Sequence, residues 1–253
     1  MEFRTPVKCP EGMQFRECNA KSSRESYVNE RKCCDCRSNH PLPGRFALRQ
    51  IRRGASIQRL MKGNQRFVTN HPSTKDISIQ KRKDLIQEQQ PFAVILACSD
   101  SRVPPELIFD QGLGDIFVVR TAGNTVDKIT LGSIEYGLEH LHAPRLVILG
   151  HQDCGAVKAT IESAAKAYKE GRHARDSIGE IVNKIMPAVE KAKTSGKSES
   201  DLLDASIQEN VKNVYKEILE KSPVLKKLSA KKKINVVLAE YYLDSGMVKI
   251  IEK

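Results

Sequence analysis

From Phe46 the apolar positions fall at three- and four-residue steps: Leu48 and Ile51, then Ile57, Leu60, Met61, Phe67 and Val68, with Asn64 on the same stripe. That spacing predicts an amphipathic helix. A polar stretch from Ser78 to Glu88 predicts a second helix, closed by Pro91. The pattern then changes to short, nearly continuous apolar runs: "FAVILA" (92–97), "IFVVR" (116–120), "RLVILG" (145–150) and "INVVLAEYYL" (234–243). Runs of this kind are strands buried on both faces, as in a parallel sheet. Between them lie helical segments at 131–142, 156–170, 177–193 and 202–222. Alternation of strand and helix predicts an α/β fold with right-handed crossovers. "LDSG" (243–246) reads as a tight turn that brings "MVKII" back as an antiparallel edge strand.

Residues 1–44 carry no such period. They are polar, rich in Arg and Cys, and end in "NHPLPG", so a boundary is expected near Gly44 between a poorly ordered leader and a catalytic domain over 45–253. Five of the seven cysteines (Cys9, Cys18, Cys33, Cys34, Cys36) lie in this leader. With His40 they have metal-binding chemistry, but "CCDC" fits none of the familiar ligand spacings. An odd number of cysteines without a secretory signal does not read as a disulfide framework.

Charge and hydropathy remove several functions. The net charge is +11, yet the basic residues are scattered and alternate with Glu along the helices. Only Lys231 to Lys233 form a compact run, so a solvated surface is expected rather than a nucleic-acid site. No apolar run approaches the roughly 18–20 residues that span a membrane. The opening "MEFRTPVKCPEG" has no apolar signal segment. A cytoplasmic protein without nucleic-acid or membrane partners is expected.

The chemistry concentrates where two strands end. In open α/β sheets, functional groups gather beyond the carboxyl ends of the strands. Cys98 follows "FAVILA", His151 follows "RLVILG", and Cys154 lies on the turn into the next helix. A cysteine after a buried strand is usually a small core residue, and a histidine there is usually only hydrogen-bonded. Three such residues at one edge, two of them in His-x-x-Cys, favour a metal. Two thiolates and one imidazole form a three-ligand zinc set with an open fourth position, the mark of a catalytic rather than a structural site.

"CSDSRV" (98–103) followed by "GHQDCGAV" (150–157) resembles the β-class carbonic anhydrases. The likeness extends through "LMKGNQRF" (60–67), "QQPFAVILACSDSRVPPELIFDQGLGDIFVVRTAGN" (89–124), "GSIEYGLEHL" (132–141), "SPVLKKL" (222–228) and the final strand pair. It covers Ala47 to Ile251 and not the leader. "LAEYYLDSG" (238–246) departs from it, since the family often has Gly-Ala before its tyrosine. The resemblance implies a mostly parallel sheet of four strands plus an antiparallel edge strand, flanked by helices. It also implies a homodimer or dimer of dimers with the pocket across a subunit interface.

Carried over by position, the resemblance places one zinc ion per chain on Cys98, His151 and Cys154, and an Asp–Arg dyad on Asp100 and Arg102. Gln89, Phe117 and Tyr136 match substrate-pocket positions, and Gly155 matches one whose backbone lies beside the site. The implied reaction is reversible hydration of carbon dioxide to bicarbonate. Two thiolates cancel the formal charge of zinc, so bound water is acidified less than in a three-histidine site, where its pKa is about 7. Activity is therefore expected to improve above neutral pH. Arg102 offers a planar fork that keeps the Asp100 carboxylate off the metal. No proton shuttle can be singled out; His71, His140, His142 and His173 have the chemistry only. Some relatives bind regulatory bicarbonate through a tryptophan, and this chain has none. The alternatives are a carbon disulfide or carbonyl sulfide hydrolase on the same scaffold, and a catalytically idle zinc protein.

Overall fold

The structure, a computed structural model, describes residues 45–170, 176–195 and 199–252. The cysteine-rich leader and His173 lie outside the described residues, and with them the leader's metal-binding chemistry.

Five strands form one sheet: β1 (Ala93–Cys98), β2 (Ile116–Thr121), β3 (Arg145–His151), β4 (Asn235–Tyr241) and β5 (Val248–Glu252), in the order β2-β1-β3-β4-β5. The first four are parallel and β5 pairs antiparallel with β4, as the pattern predicts. Every residue of β1 and β3 is buried, which is why neither shows polar alternation.

Alternate residues of these strands serve two cores. Val94, Leu96, Leu146, Ile148 and Leu238 face one side. There they pack against α4 (Lys128–Glu135) and the π-helical turn after it (Tyr136–His140), and against α7 (Glu199–Lys221) and α8 (Pro223–Ala230), through Ile134, Leu138, Val211, Ile218 and Leu225. Ala93, Ile95, Ala97, Val147, Leu149, Val237 and Ala239 face the other side with Leu60 of α1 (Arg45–Val68) and Phe109. Gly63 of α1 is required here, because a Cβ would lie 1.8 Å from the carbonyl oxygen of Phe109. Its neighbour Asn64 is buried. It donates to the carbonyls of Ile108 (3.2 Å) and Gly246 (2.8 Å) and accepts from the Val248 N–H (2.9 Å). One side chain thus ties α1 to the start of the edge strand.

The structure corrects some boundaries. The polar helix predicted over 78–88 is only α2 (Ile79–Asp84), capped by Ser78 and with no buried residue. With no apolar stripe to bury, packing does not extend it. The helix predicted from 131 starts at Lys128, because the Asp127 side chain caps the Thr130 N–H at 2.7 Å. The helix predicted over 202–222 runs Glu199–Lys221. Ser222 and Pro223 then start α8 as a separate helix, with Ser222 Oγ accepting from Leu225 N. A short α3 (Pro105–Ile108) was not predicted. The helices α5 (Gly155–Glu170) and α6 (Ser177–Thr194) follow the pattern closely.

Candidate metal centre

β1 and β3 are hydrogen-bonded neighbours, and each ends on a reactive residue. Cys98 is the last residue of β1 and His151 the last of β3. Three residues later Cys154 starts the first turn of α5, its carbonyl accepting from the Lys158 N–H at 3.0 Å. The turn between them passes through Asp153 in a left-handed conformation (φ 59°). This bend brings Cys154 back to the strand ends. One ligand atom from each of Cys98, His151 and Cys154 lies within 4.8 Å of the other two, and all three residues are buried.

The donor set fits a soft divalent metal. His151 Nδ1 lies 2.8 Å from the carbonyl oxygen of Gln152, which fixes the proton on Nδ1 and leaves Nε2 as an acceptor. His151 is fully buried (0% exposed) and its Nε2 has no hydrogen-bond partner. An orphaned acceptor facing two thiols is costly unless something binds it. Zinc, which takes thiolate and imidazole ligands readily, would satisfy all three atoms.

The electrostatics prepare the thiols. The Cys98 pKa is lowered chiefly by a hydrogen bond from the Cys154 thiol, and further by His151 and the Gly123 N–H, which lies 3.3 Å from Cys98 Sγ. Cys154 is correspondingly raised by the Cys98 thiolate beside it and by burial. Burial lowers the His151 pKa, but the neighbouring Cys98 thiolate outweighs it and the net direction is up. A cation bound between the two thiols would displace their protons. Gly123 matters for shape as well as charge. Its φ is 62°, and a Cβ there would lie 2.6 Å from Ile185 Cδ1.

Asp100 and Arg102 stand in the turn after β1. Arg102 Nε donates to Asp100 Oδ1 at 3.0 Å, and Nη2 donates to Oδ2 at 2.8 Å. The Arg102 backbone N–H also donates to Oδ1, at 2.9 Å. The Arg102 hydrogen bond is the largest reason that the Asp100 pKa is lowered to about 2. Asp100 Oδ2 lies 3.9 Å from His151 Nε2, close enough to reach a metal on that nitrogen.

The remaining candidates divide between the two ends of the sheet. Gly155 lies at the carboxyl end, and a Cβ there would meet nothing within 4 Å. Phe117 pairs with Val94, whereas Cys98 pairs with Thr121. Phe117 is therefore about 13 Å further back along the strand, at about 3.3 Å per residue. Its ring lies 6.2 Å from that of Tyr136, and Tyr136 stacks on His140 at 5.5 Å. Gln89 and Tyr136 line a cleft of about 1020 Å³ with Arg59, Phe92, His140 and His142. Within one chain these residues do not meet the metal donors. His71 lies apart from both groups, its Nδ1 beside the carbonyl of Thr69.

Two contacts were not foreseen. Arg120, at the end of β2, donates from Nε to the Cys98 carbonyl at 2.9 Å and from Nη2 to the Asp100 carbonyl at 2.6 Å. Asp153 touches Arg102, as described below. A charged residue closing an apolar strand run was the available signal for Arg120. Asp153 offered none beyond its place between two donors.

A family model described as carbonic anhydrase matches residues 93–248. A carbonic anhydrase of Mycolicibacterium smegmatis is 38% identical over 196 residues, covering 78% of this chain and 92% of that protein. Carbonic anhydrase 2 of Mycobacterium tuberculosis is 38% identical over 192 residues, covering 76% and 89%. Among solved structures, a Coccomyxa β-carbonic anhydrase in complex with acetazolamide matches with a TM-score of 0.59 at 26% identity, covering 68% of this chain and 76% of that one. A tetrameric β-carbonic anhydrase of Sordaria macrospora has the same fold, with a TM-score of 0.57 at 23% identity, covering 78% and 94%.

Proposed function

The chain belongs to the β-carbonic anhydrase family and is a carbonate dehydratase; we propose that it hydrates carbon dioxide with one zinc ion per chain held by Cys98, His151 and Cys154. The observation that carries this reading is the meeting of two buried thiols with the orphaned Nε2 of a buried imidazole. When bound, zinc supplies the Lewis acidity that makes water nucleophilic near neutral pH.

The chain's own residues do the rest. Cys98 and Cys154 bind as thiolates, and the Nδ1–H of His151, donated to Gln152, aims Nε2 at the same point. Ile185, Val157 and Ile207 pack around the sulfurs and keep bulk water from them. Asp100, low in pKa, stays ionised through the working range and accepts a hydrogen bond from the attacking water at Oδ2. That orients a lone pair toward carbon dioxide. Arg102 holds both carboxylate oxygens in plane and would keep them from binding the metal themselves.

Gln89, Phe117 and Tyr136 enter this reading only in an oligomer. We infer that they wall the pocket of a second copy, with the Gly155 backbone on the near side. The exposed Tyr136 ring and Ile86, on the cleft that Gln89 and Tyr136 line, support an interface there.

Stopped-flow hydration of carbon dioxide, with zinc quantified on the same sample, tests the proposal. Turnover that follows zinc content and falls on chelation is expected. Full turnover in zinc-free protein would refute it.

A further inference from the structure

Arg102 uses both edges of its guanidinium. The Nε–Nη2 edge faces Asp100. The Nη1–Nη2 edge faces Asp153, whose backbone carbonyl accepts from Nη2 at 3.2 Å and whose carboxylate lies 3.5 Å from Nη1. We propose that Asp153 is a positioning residue for the hydration reaction, holding Arg102 in the plane from which it restrains Asp100. This rests on the reading above that Arg102 keeps Asp100 off the metal.

The dyad needs such support. The Arg102 side chain is 48% exposed, long and rich in rotamers. The bidentate pair with Asp100 grips only the Nε–Nη2 edge of the guanidinium. Asp153 adds a second grip, and it comes from the turn that joins His151 to Cys154. Arg102 is thereby referenced to two metal donors as well as to Asp100.

Asp153 suits the task through both backbone and side chain. At φ 59° it is left-handed, a conformation that Asp tolerates because its short side chain bonds locally. That conformation accompanies the carbonyl's approach to Arg102. The Asp153 carboxylate does not swing freely either, since Lys158 of α5 pairs with its other oxygen. The chain of contacts runs Lys158, Asp153, Arg102, Asp100.

The two contributions separate by substitution. Asp153→Gly keeps the left-handed backbone and its carbonyl but removes the carboxylate. Asp153→Ala removes the carboxylate and also resists the left-handed backbone, so the carbonyl shifts. Asp153→Asn keeps the backbone and one oxygen acceptor, and is the conservative rescue.

The test uses the full-length zinc-loaded protein. The readout is hydrogen exchange of the Arg102 Nε–H followed by NMR, assigned with Arg102→Lys, together with carbon dioxide hydration. Exchange should accelerate up to about fivefold in Asp153→Gly, the range of an exposed ion pair, and more in Asp153→Ala. Asp153→Asn should stay within about twofold of the natural protein. Hydration should fall in the same order while zinc stays stoichiometric. Wild-type exchange and hydration in zinc-loaded Asp153→Gly and Asp153→Ala would overturn the proposal. If Asp153→Ala does not fold, Asp153→Gly alone decides in the same way. Arg102→Ala separates the two levels. Full hydration by that variant removes the gate itself, whereas an inactive Arg102→Ala beside unperturbed Asp153 variants removes only the role of Asp153.

Discussion

Arg102 and Asp100 form a fork-to-fork pair, Nε to Oδ1 at 3.0 Å and Nη2 to Oδ2 at 2.8 Å, and the outer carboxylate oxygen stops 3.9 Å from the acceptor nitrogen of His151. If a divalent cation bound that nitrogen, an unrestrained carboxylate so near it would be drawn in as a ligand. On the proposed reading, the pair would decide whether water or Asp100 reaches the metal.

Arg102→Ala should leave zinc bound and reduce hydration by about 100-fold or more, the scale of losing one well-placed catalytic group. Arg102→Lys should restore little, because a point charge cannot hold both oxygens in plane. A crystal structure of zinc-loaded Arg102→Ala at pH 8 checks this. Asp100 on the metal is the expected result; Asp100 turned away with near-normal turnover contradicts the gate.

Asp110 anchors the loop after α1. Burial raises its pKa, but Lys75, Ser73 and Arg66 together outweigh burial and leave it well below the usual carboxylate range. Its φ of 50° suits Asn as well as Asp. Asp110→Asn should then cost about 2 kcal/mol, less than the roughly 3–5 kcal/mol of breaking a fully buried pair, because its partners are half-exposed. The sign follows from a depressed pKa. The stabilisation is present above the ordinary aspartate value and fades as pH falls toward the folded value. Urea denaturation at pH 7 and at pH 3 should show a smaller difference between the two proteins at pH 3.

Glu240 behaves in the opposite way. It is 1% exposed, with Oε2 accepting from Gln208 (3.0 Å) and Tyr242 (3.1 Å) and Oε1 without a partner among the described residues. Burial raises its pKa, and Asp204 adds to this. A raised acid stabilises most below its unfolded pKa and loses that contribution as pH rises through the folded value. Glu240→Gln should gain on the natural protein between pH 5 and pH 8, by about 1 kcal/mol or some 2–4 °C for a chain of this size. A thermal-melting difference that is flat across this range would contradict it.

The sheet and the convergence of Cys98, His151 and Cys154 were legible because β1 and β3 are buried on both faces and stop abruptly at Cys98 and His151. Apolar runs that end in a thiol or an imidazole mark both the strand and its carboxyl edge. Glu240 shows what pattern alone misses: it sits inside an apolar run as a buried acid, and only packing against α7 and Tyr242 shows its partners. The early stop of α2 and the separate start of α8 turned on caps and on the lack of a buried face. Asp153 was invisible for another reason. Its role depends on a left-handed backbone and on an arginine far away in sequence. Gln89, Phe117 and Tyr136 were expected beside the substrate, whereas within one chain strand register puts Phe117, with Tyr136 next to it, at the other end of the sheet from Cys98.

Removing residues 1–44 should leave zinc content and hydration within about twofold, because every residue assigned to the site lies after them in the sequence. The family match spans 93–248 and the site lies within it. Truncated protein with full zinc but less than a tenth of the turnover would assign the leader a part in the site.

The coordination of the metal tests the central claim most directly. Zinc K-edge X-ray absorption on the full-length protein at pH 8, with one zinc per chain, should show two sulfur neighbours at about 2.3 Å and one nitrogen and one oxygen at about 2.0–2.1 Å. Cys98→Ala and Cys154→Ala should each lose most of the zinc. A first shell without sulfur, or stoichiometric zinc retained in either cysteine variant, would contradict a centre built from Cys98, His151 and Cys154.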